Sequence, residues 1–175
     1  MKTILPVSNG IPASTTTSEA EEARPLSAEE LSKVPFFAAF DPEMLARIAP
    51  HTKAAHFNTG DEILAQGDAA DRFYVVGSGR VRVTCNLPDL QLHVIDVGPG
   101  EVVGFSWLFT PEKVHFTANA TEPVKAVFVY GTLLQQEFET CPQLGYEFAM
   151  RIGQVMLKRL ESVVEVLGGV RFAEG

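Results

Sequence analysis

The sequence predicts a mainly β protein with flanking helices: a jelly-roll-like barrel of about eight short strands, with N-terminal helices before it and a long C-terminal helix after it. Two patterns and one limit predict this. Between Gly60 and Cys85, glycines fall at turn spacing between short runs of alternating apolar residues. Beyond Tyr130 the apolar period changes from two to three and four residues. The limit is size, since 175 residues, 46% of them hydrophobic and 21% charged, make one domain with a sizeable core rather than two.

Residues 8–24 carry Ser, Thr, Ala and Glu and almost no large apolar side chain. They bury too little surface to offset the entropy of ordering, so a disordered tail is expected over 1–25. Ser27 and Glu30 have the spacing of a capping box and start a helix that turns Leu31 and Val34 inward. Pro35 interrupts it, and Phe36, Phe37 and Phe40 follow as an apolar knot. Asp41 and Pro42 give the next start, an acceptor at the cap and a proline at the first helical position, continued by Met44, Leu45 and Ile48.

From Lys53 the period is two. Ile63 and Leu64 lie between Gly60 and Gly67, Phe73 to Val76 precede Gly77 and Gly79, and Val81, Val83 and Cys85 alternate with Arg82 and Thr84. A Pro88-Asp89 turn leads to Leu90, Leu92 and Val94 in the same alternation, and Val124, Ala126, Phe128 and Tyr130 make the last strand. The barrel is expected over 53–130 and helices over 132–167, with Thr132 capping a short helix through Phe138 and Pro142 opening the long one. The domain thus runs 26–167, with 168–175 a second tail. On the long helix Met156, Leu160, Val163 and Leu167 form a narrow apolar seam, and Ala149 and Gly153 are small enough to admit a second helix.

Composition limits the functions. A net charge of −8, from 14 Lys and Arg against 22 Asp and Glu, repels polyanions, so no autonomous nucleic-acid binding is expected. Cys85 and Cys141 stand apart from any ligand motif and are expected reduced. No run approaches the ~20 apolar residues of a membrane span, and the amino terminus lacks a secretory pattern, so a cytoplasmic location is expected. No nucleophile elbow, phosphate loop or zinc helix is present, and His51, His56 and His93 share no metal-ligand spacing. No enzymatic activity, metal or cofactor is expected.

Phe57, Gly60, Ile63, Gly67, Asp68, Asp71, Phe73, Tyr74, Val76, Gly79, Val81 and Val83 follow one another in an order and spacing that resembles the cyclic-nucleotide-binding domain. This is the sensor module of catabolite activator protein and of protein kinase A regulatory subunits. The run L-x-x-V-P-F-F-x-x-F-D-P-E-x-L from Leu31 to Leu45 resembles the helical piece that precedes it there. The resemblance extends from about Leu26 to Leu167 and implies a double-stranded β-helix, a β-roll, whose relatives dimerise through the C-terminal helix. A homodimer through Met156, Leu160, Val163 and Leu167 is therefore expected.

In that family the ligand sits in a cassette, a short helix beginning Gly-Glu-Leu-Ala followed by Pro-Arg-x-Ala-Thr. Its Glu accepts a hydrogen bond from the ribose 2′-hydroxyl and its Arg neutralises the cyclic phosphate. The resemblance places the cassette at Gly104, Phe105, Ser106 and Trp107, then Lys113, Val114, His115, Phe116 and Thr117, with Phe105 at the Glu position and Val114 at the Arg position. On the long helix, Val163 and Val164 stand where relatives place hydroxyls against the base. Hydrogen bonds to charged groups contribute about 1.5–3 kcal/mol each. Losing both anchors weakens cyclic-nucleotide binding on the order of 10³-fold or more.

The amides of Ser106 and Trp107, with Lys113 or His115, are what remains to meet a phosphate. Phe105, Trp107, Phe109 and Phe116 are expected to fill the cavity, the alternative being that they line it for an apolar or planar ligand. The residues after Gly169 leave no room for a helix-turn-helix module. The expectation is a stand-alone regulatory or sensor module with a non-standard ligand, or none, and a protein-interaction role. The alternative is a genuine cAMP or cGMP receptor with a variant phosphate cassette.

Overall fold

Two capped helix starts lead into the sheets. In the computed structural model, which describes residues 24–109 and 113–168, with 165–168 as backbone alone, Ser27 Oγ accepts from the Glu30 amide at 3.1 Å and the Glu30 carboxylate accepts from the Ser27 amide at 2.7 Å. This reciprocal cap begins α1 (Ala28–Ser32), which buries Leu31. The Arg24 guanidinium pairs with the same carboxylate and, with the Ser27 groups, lowers the Glu30 pKa to about 2. Asp41 Oδ1 caps α2 (Pro42–Ile48) by accepting from the Met44 amide at 2.8 Å. The tails expected over 1–25 and 168–175 fall, apart from Arg24, Pro25 and the Gly168 backbone, outside the described residues.

Eight strands follow: β1 (Thr52–Phe57), β2 (Glu62–Leu64), β3 (Arg72–Ser78), β4 (Val81–Leu87), β5 (Leu90–Val97), β6 (Val102–Val103), β7 (Thr117–Ala120) and β8 (Val124–Tyr130). They form two antiparallel four-stranded sheets, β1-β8-β3-β6 and β2-β7-β4-β5. First pairs with last, second with seventh, third with sixth and fourth with fifth, so the chain is one long hairpin rolled into two layers. Every connection except β4–β5 crosses between sheets. This is the expected β-roll.

The turns β1–β2, β3–β4 and β7–β8 meet at one rim. The Gly60 amide donates to the Ala120 carbonyl at 2.7 Å, and the Thr121 amide donates to the Arg80 carbonyl at 2.9 Å. Gly79 has φ +87°, and a Cβ there would stand 2.2 Å from the Pro123 carbonyl oxygen. Glycine is required at this position twice over, by conformation and by contact.

The strict alternation expected for β4 and β5 breaks at a bulge. Val83 pairs with Ile95 but Thr84 with His93, which leaves Val94 without a partner. The extra residue is on β5 alone, and it places Leu92 and Leu90 opposite Cys85 and Leu87, on the face of Val81 and Val83. Leu90 and Leu92, expected to point inward, are nonetheless exposed, because the hairpin tip runs past Thr84, the last β4 residue paired with β7. On β3, by contrast, Phe73 to Val76 are all buried, because one face meets the roll and the other is covered by helices.

That cover is aromatic. Trp107 is 1% exposed, stacks on Phe73 at 5.6 Å and 12°, and meets Phe148 edge-on at 5.8 Å. Phe36 packs against Phe148 at 5.6 Å, so the expected apolar knot joins the long helix to the sheet. Helix α3 (Gly131–Thr140) starts one residue before the predicted Thr132 cap and has no side-chain cap. The Asp71 carbonyl accepts from the Gly131 and Thr132 amides instead, at 2.8 and 3.4 Å. Helix α4 (Pro142–Gly168) begins at Pro142 as expected and buries Leu144, Phe148 and Ile152.

Beside the seam expected on α4, an exposed apolar stripe runs along its surface. Tyr146, Met150, Leu157, Leu160 and Val164 are exposed, Leu157 at 57% and Leu160 at 60%. With Gly153 they recur at steps of four, three, four, three and four, the spacing of a helix-pairing stripe. Of the residues expected in the seam, Leu160 belongs to this stripe, Met156 is also exposed but borders the cavity described below, and Val163 is half-buried. At about 100° of rotation per residue, positions 156 and 163 lie well off the line through 157 and 164. The Leu167 side chain lies outside the described residues.

Candidate ligand cavity

The connection from β6 to β7 is shaped by a glycine at its start. Gly104 has φ +87°, and a Cβ there would stand 2.5 Å from Leu64 Cδ1 and 3.3 Å from the Arg72 carbonyl oxygen. It leads into a 3₁₀ turn over Phe105–Leu108. Residues two apart on so tight a turn point in widely different directions. Phe105 therefore borders a cavity while Trp107 enters the core.

On the return, Val114 is pinned through both backbone groups. Its amide donates to the Asp68 carbonyl at 2.9 Å and its carbonyl accepts from the Gly67 amide at 2.8 Å. Its side chain is buried against the cavity.

The cavity measures about 270 Å³. Leu64, Val83 and Ala118 of one sheet and Val103 of the other line it, the cassette supplies a wall that includes Phe105, Ser106 and Val114, and Met156 and Arg159 approach from α4. Phe109, His115 and Phe116 complete that wall and are exposed. The Ser106 hydroxyl accepts from the His115 amide at 3.4 Å.

Of the residues predicted for the site, Gly104, Phe105, Ser106, Val114, His115 and Phe116 come together here, while Trp107, Lys113 and Thr117 do not. Trp107 belongs to the core. Lys113 is exposed and forms an isolated bridge with Ala69. Thr117 Oγ1 accepts from the Gln66 amide and Asn86 Nδ2 at 3.1 and 3.0 Å, fastening the cassette's exit to the loop after β2 and to β4.

The expectation that the aromatic residues fill the cavity is overturned. With Trp107 turned into the core, Phe105, Phe109 and Phe116 line an open space. Val163 and Val164 do not border it, and their expected place is taken by Arg159 and Met156, about one and two turns earlier.

Arg159 was missing from the predicted site. Its guanidinium donates to the Val102 carbonyl and lies over the Phe105 ring, 5.1 Å from the centroid. Burial lowers its pKa, and the negative charge of Glu101 offsets this in part. The sequence signal was available: Arg159 follows Ile152 and Val155 on the inner face of α4, a cation where the apolar period calls for a hydrophobic residue. Among the described residues the lining thus combines a mostly apolar wall with one hydroxyl, one imidazole and one guanidinium, and includes no carboxylate.

Among the described residues no group of three His, Cys, Asp or Glu could hold a metal ion. No helix among them is long and apolar enough to cross a membrane.

Residues 54–141 match the family model of the cyclic nucleotide-binding domain. A crystal structure from Geobacter metallireducens GS-15, of a protein classed as cyclic nucleotide-binding, is similar with a TM-score of 0.70 and 30% identity, over 77% of this chain and 98% of that one. The CRP-like cAMP-activated global transcriptional regulator of Mycobacterium tuberculosis is 22% identical over 147 residues, 83% of this chain and 64% of the regulator. Solute carrier family 9 member C1 of Mus musculus is 26% identical over 129 residues, 65% of this chain and 11% of the carrier. The chain therefore spans less than two thirds of the length of these two curated relatives.

Proposed function

Because the chain belongs to the cyclic nucleotide-binding domain family, we propose that it is a non-enzymatic regulatory module whose β-roll cavity takes an apolar or planar ligand and does not bind cAMP or cGMP through the family's usual contacts. The observation that carries this reading is the pair Phe105 and Val114. Both line the cavity, and they stand at the positions where the family pattern has its ribose-binding Glu and phosphate-binding Arg. An aromatic ring and an isopropyl group offer a phosphate no counter-charge and would leave its oxygens desolvated and unpaired.

Calorimetric titration with cAMP and with cGMP is expected to give no binding heat at high micromolar ligand, and low-micromolar affinity for either would overturn the reading. Combining Phe105→Glu with Val114→Arg is expected to create measurable cAMP binding, since both side chains line the cavity. A second reading, a true cyclic-nucleotide receptor, is favoured by the openness of the cavity and by Arg159 and His115 on its wall. The same titration separates the two.

The module pairs with a second copy through α4. The support is the exposed Tyr146, Met150, Leu157, Leu160 and Val164 stripe, with Gly153 allowing close approach at its middle. Leu160→Glu is expected to halve the sedimenting mass without changing the circular dichroism spectrum. An unaltered mass, or a wild-type chain that is already monomeric, would remove this part of the proposal.

A further inference from the structure

Arg159 enters a largely apolar cavity whose described lining has no carboxylate to meet it. A guanidinium carries five N–H donors, and here the Val102 carbonyl accepts from one of its terminal nitrogens while the Phe105 ring supports its face. Glu101, the carboxylate whose charge acts on it, is occupied on its other sides: it accepts from the Gly98 amide at 2.7 Å and lies 3.9 Å from Lys158 Nζ. Among the described residues no carboxylate stands at ion-pair distance from Arg159. A largely buried cation in this state bears a desolvation cost that a counter-ion would offset.

The remaining wall narrows the choice of counter-ion. Val83, Val103, Val114 and Met156 offer only apolar contact, and besides Arg159 only the Ser106 hydroxyl, which already accepts a backbone amide, and the exposed His115 are polar side chains in the described lining. A ligand with several charges or a ring of hydroxyls would leave polar groups unpaired against these side chains. A ligand with one anionic head and an apolar body leaves none. The cavity, about 270 Å³, lies just below the usual range of roughly 300–1,000 Å³ for ligand sites, so the body is small.

Resting on the reading that this cavity does not take a cyclic nucleotide by the usual contacts, we propose that it is a site for small amphiphilic organic monoanions, a carboxylate on an acyl or aryl body. Arg159 anchors the carboxylate and the body lies along Val83, Val103 and Val114. The ligand thereby bridges α4 to the two sheets, through a residue outside the family's cassette.

The test titrates the full chain calorimetrically with octanoate, 1-octanol and cAMP. Octanoate is expected to bind tenfold or more tighter than octanol, about the factor that a single charge-assisted hydrogen bond supplies. Arg159→Met should erase that preference and Arg159→Lys should keep part of it, with circular dichroism reporting the fold of each. The wild-type comparison of acid with alcohol needs no variant to fold. Equal affinities, no saturable octanoate binding, or an octanoate preference that persists in Arg159→Met overturns the inference. If cAMP is also inert, only this inference falls. Low-micromolar cAMP binding, tighter than that of octanoate, overturns both it and the reading on which it rests.

Discussion

Gly131→Ala is expected to destabilise the protein by roughly 2–3 kcal/mol, although alanine is ordinarily the better helix former by about 0.5–1 kcal/mol. The sign is decided by Trp107. A Cβ on Gly131 would stand 2.5, 2.6 and 2.9 Å from three atoms of the indole ring. The ring has no room to withdraw, being stacked on Phe73 and flanked by Phe138 and Phe148. Trp107→Leu alone should cost on the order of 3 kcal/mol through lost packing and the space left behind. In the double variant the alanine fills part of that space, so the two costs should fall short of their sum by about 2 kcal/mol. Urea unfolding followed by circular dichroism measures the cycle, which fluorescence cannot, since Trp107 is the chain's one tryptophan. Additive costs would mean that ring and helix start are not in contact.

Gly79→Ala and Gly60→Ala make the second comparison. Both glycines are left-handed, at φ +87° and +94°, but a Cβ on Gly60 meets nothing within 4 Å while one on Gly79 lies 2.2 Å from the Pro123 carbonyl oxygen and 2.9 Å from its carbon. Gly60→Ala should cost only the backbone term, about 1–2 kcal/mol. Gly79→Ala should cost roughly 3 kcal/mol or more, because main chain must move as well. The difference between the two midpoints in denaturant isolates the contact between the β3–β4 and β7–β8 turns, and equal midpoints would contradict it.

These two sites also mark what could be read in the sequence. The capping boxes, the prolines at helix starts and the turn glycines are local signals, and each specifies backbone geometry within a few residues of itself. Of the residues named for the cassette from the sequence, Phe105 and Val114 both reach the cavity. Trp107 was misplaced because aromatic residues clustered in sequence look alike, whereas a 3₁₀ turn sends neighbours in different directions and only Phe73, Phe138 and Phe148 reveal which way the indole goes. The bulge at Val94 has a signature in the change of apolar parity from Leu90, Leu92 and Val94 to Ile95 and Val97, which the reading of a simple alternation passed over. Arg159 was missed because its partner, the Val102 carbonyl, lies 57 residues away. Its meaning comes from a cavity that four strands and a helix must first enclose.

The rim where Gly79 meets Pro123, and where the Gly60 and Thr121 amides close across turns, has a further consequence. It fastens the two layers without help from the segment between β6 and β7. The roll is thus riveted at one end and written at the other. Substitutions on the written end should alter what the molecule recognises while leaving its folding cooperativity alone, and substitutions at the rivets should do the reverse. Such a separation lets the lining of a cavity change, at Phe105 or Val114 for instance, on an intact frame.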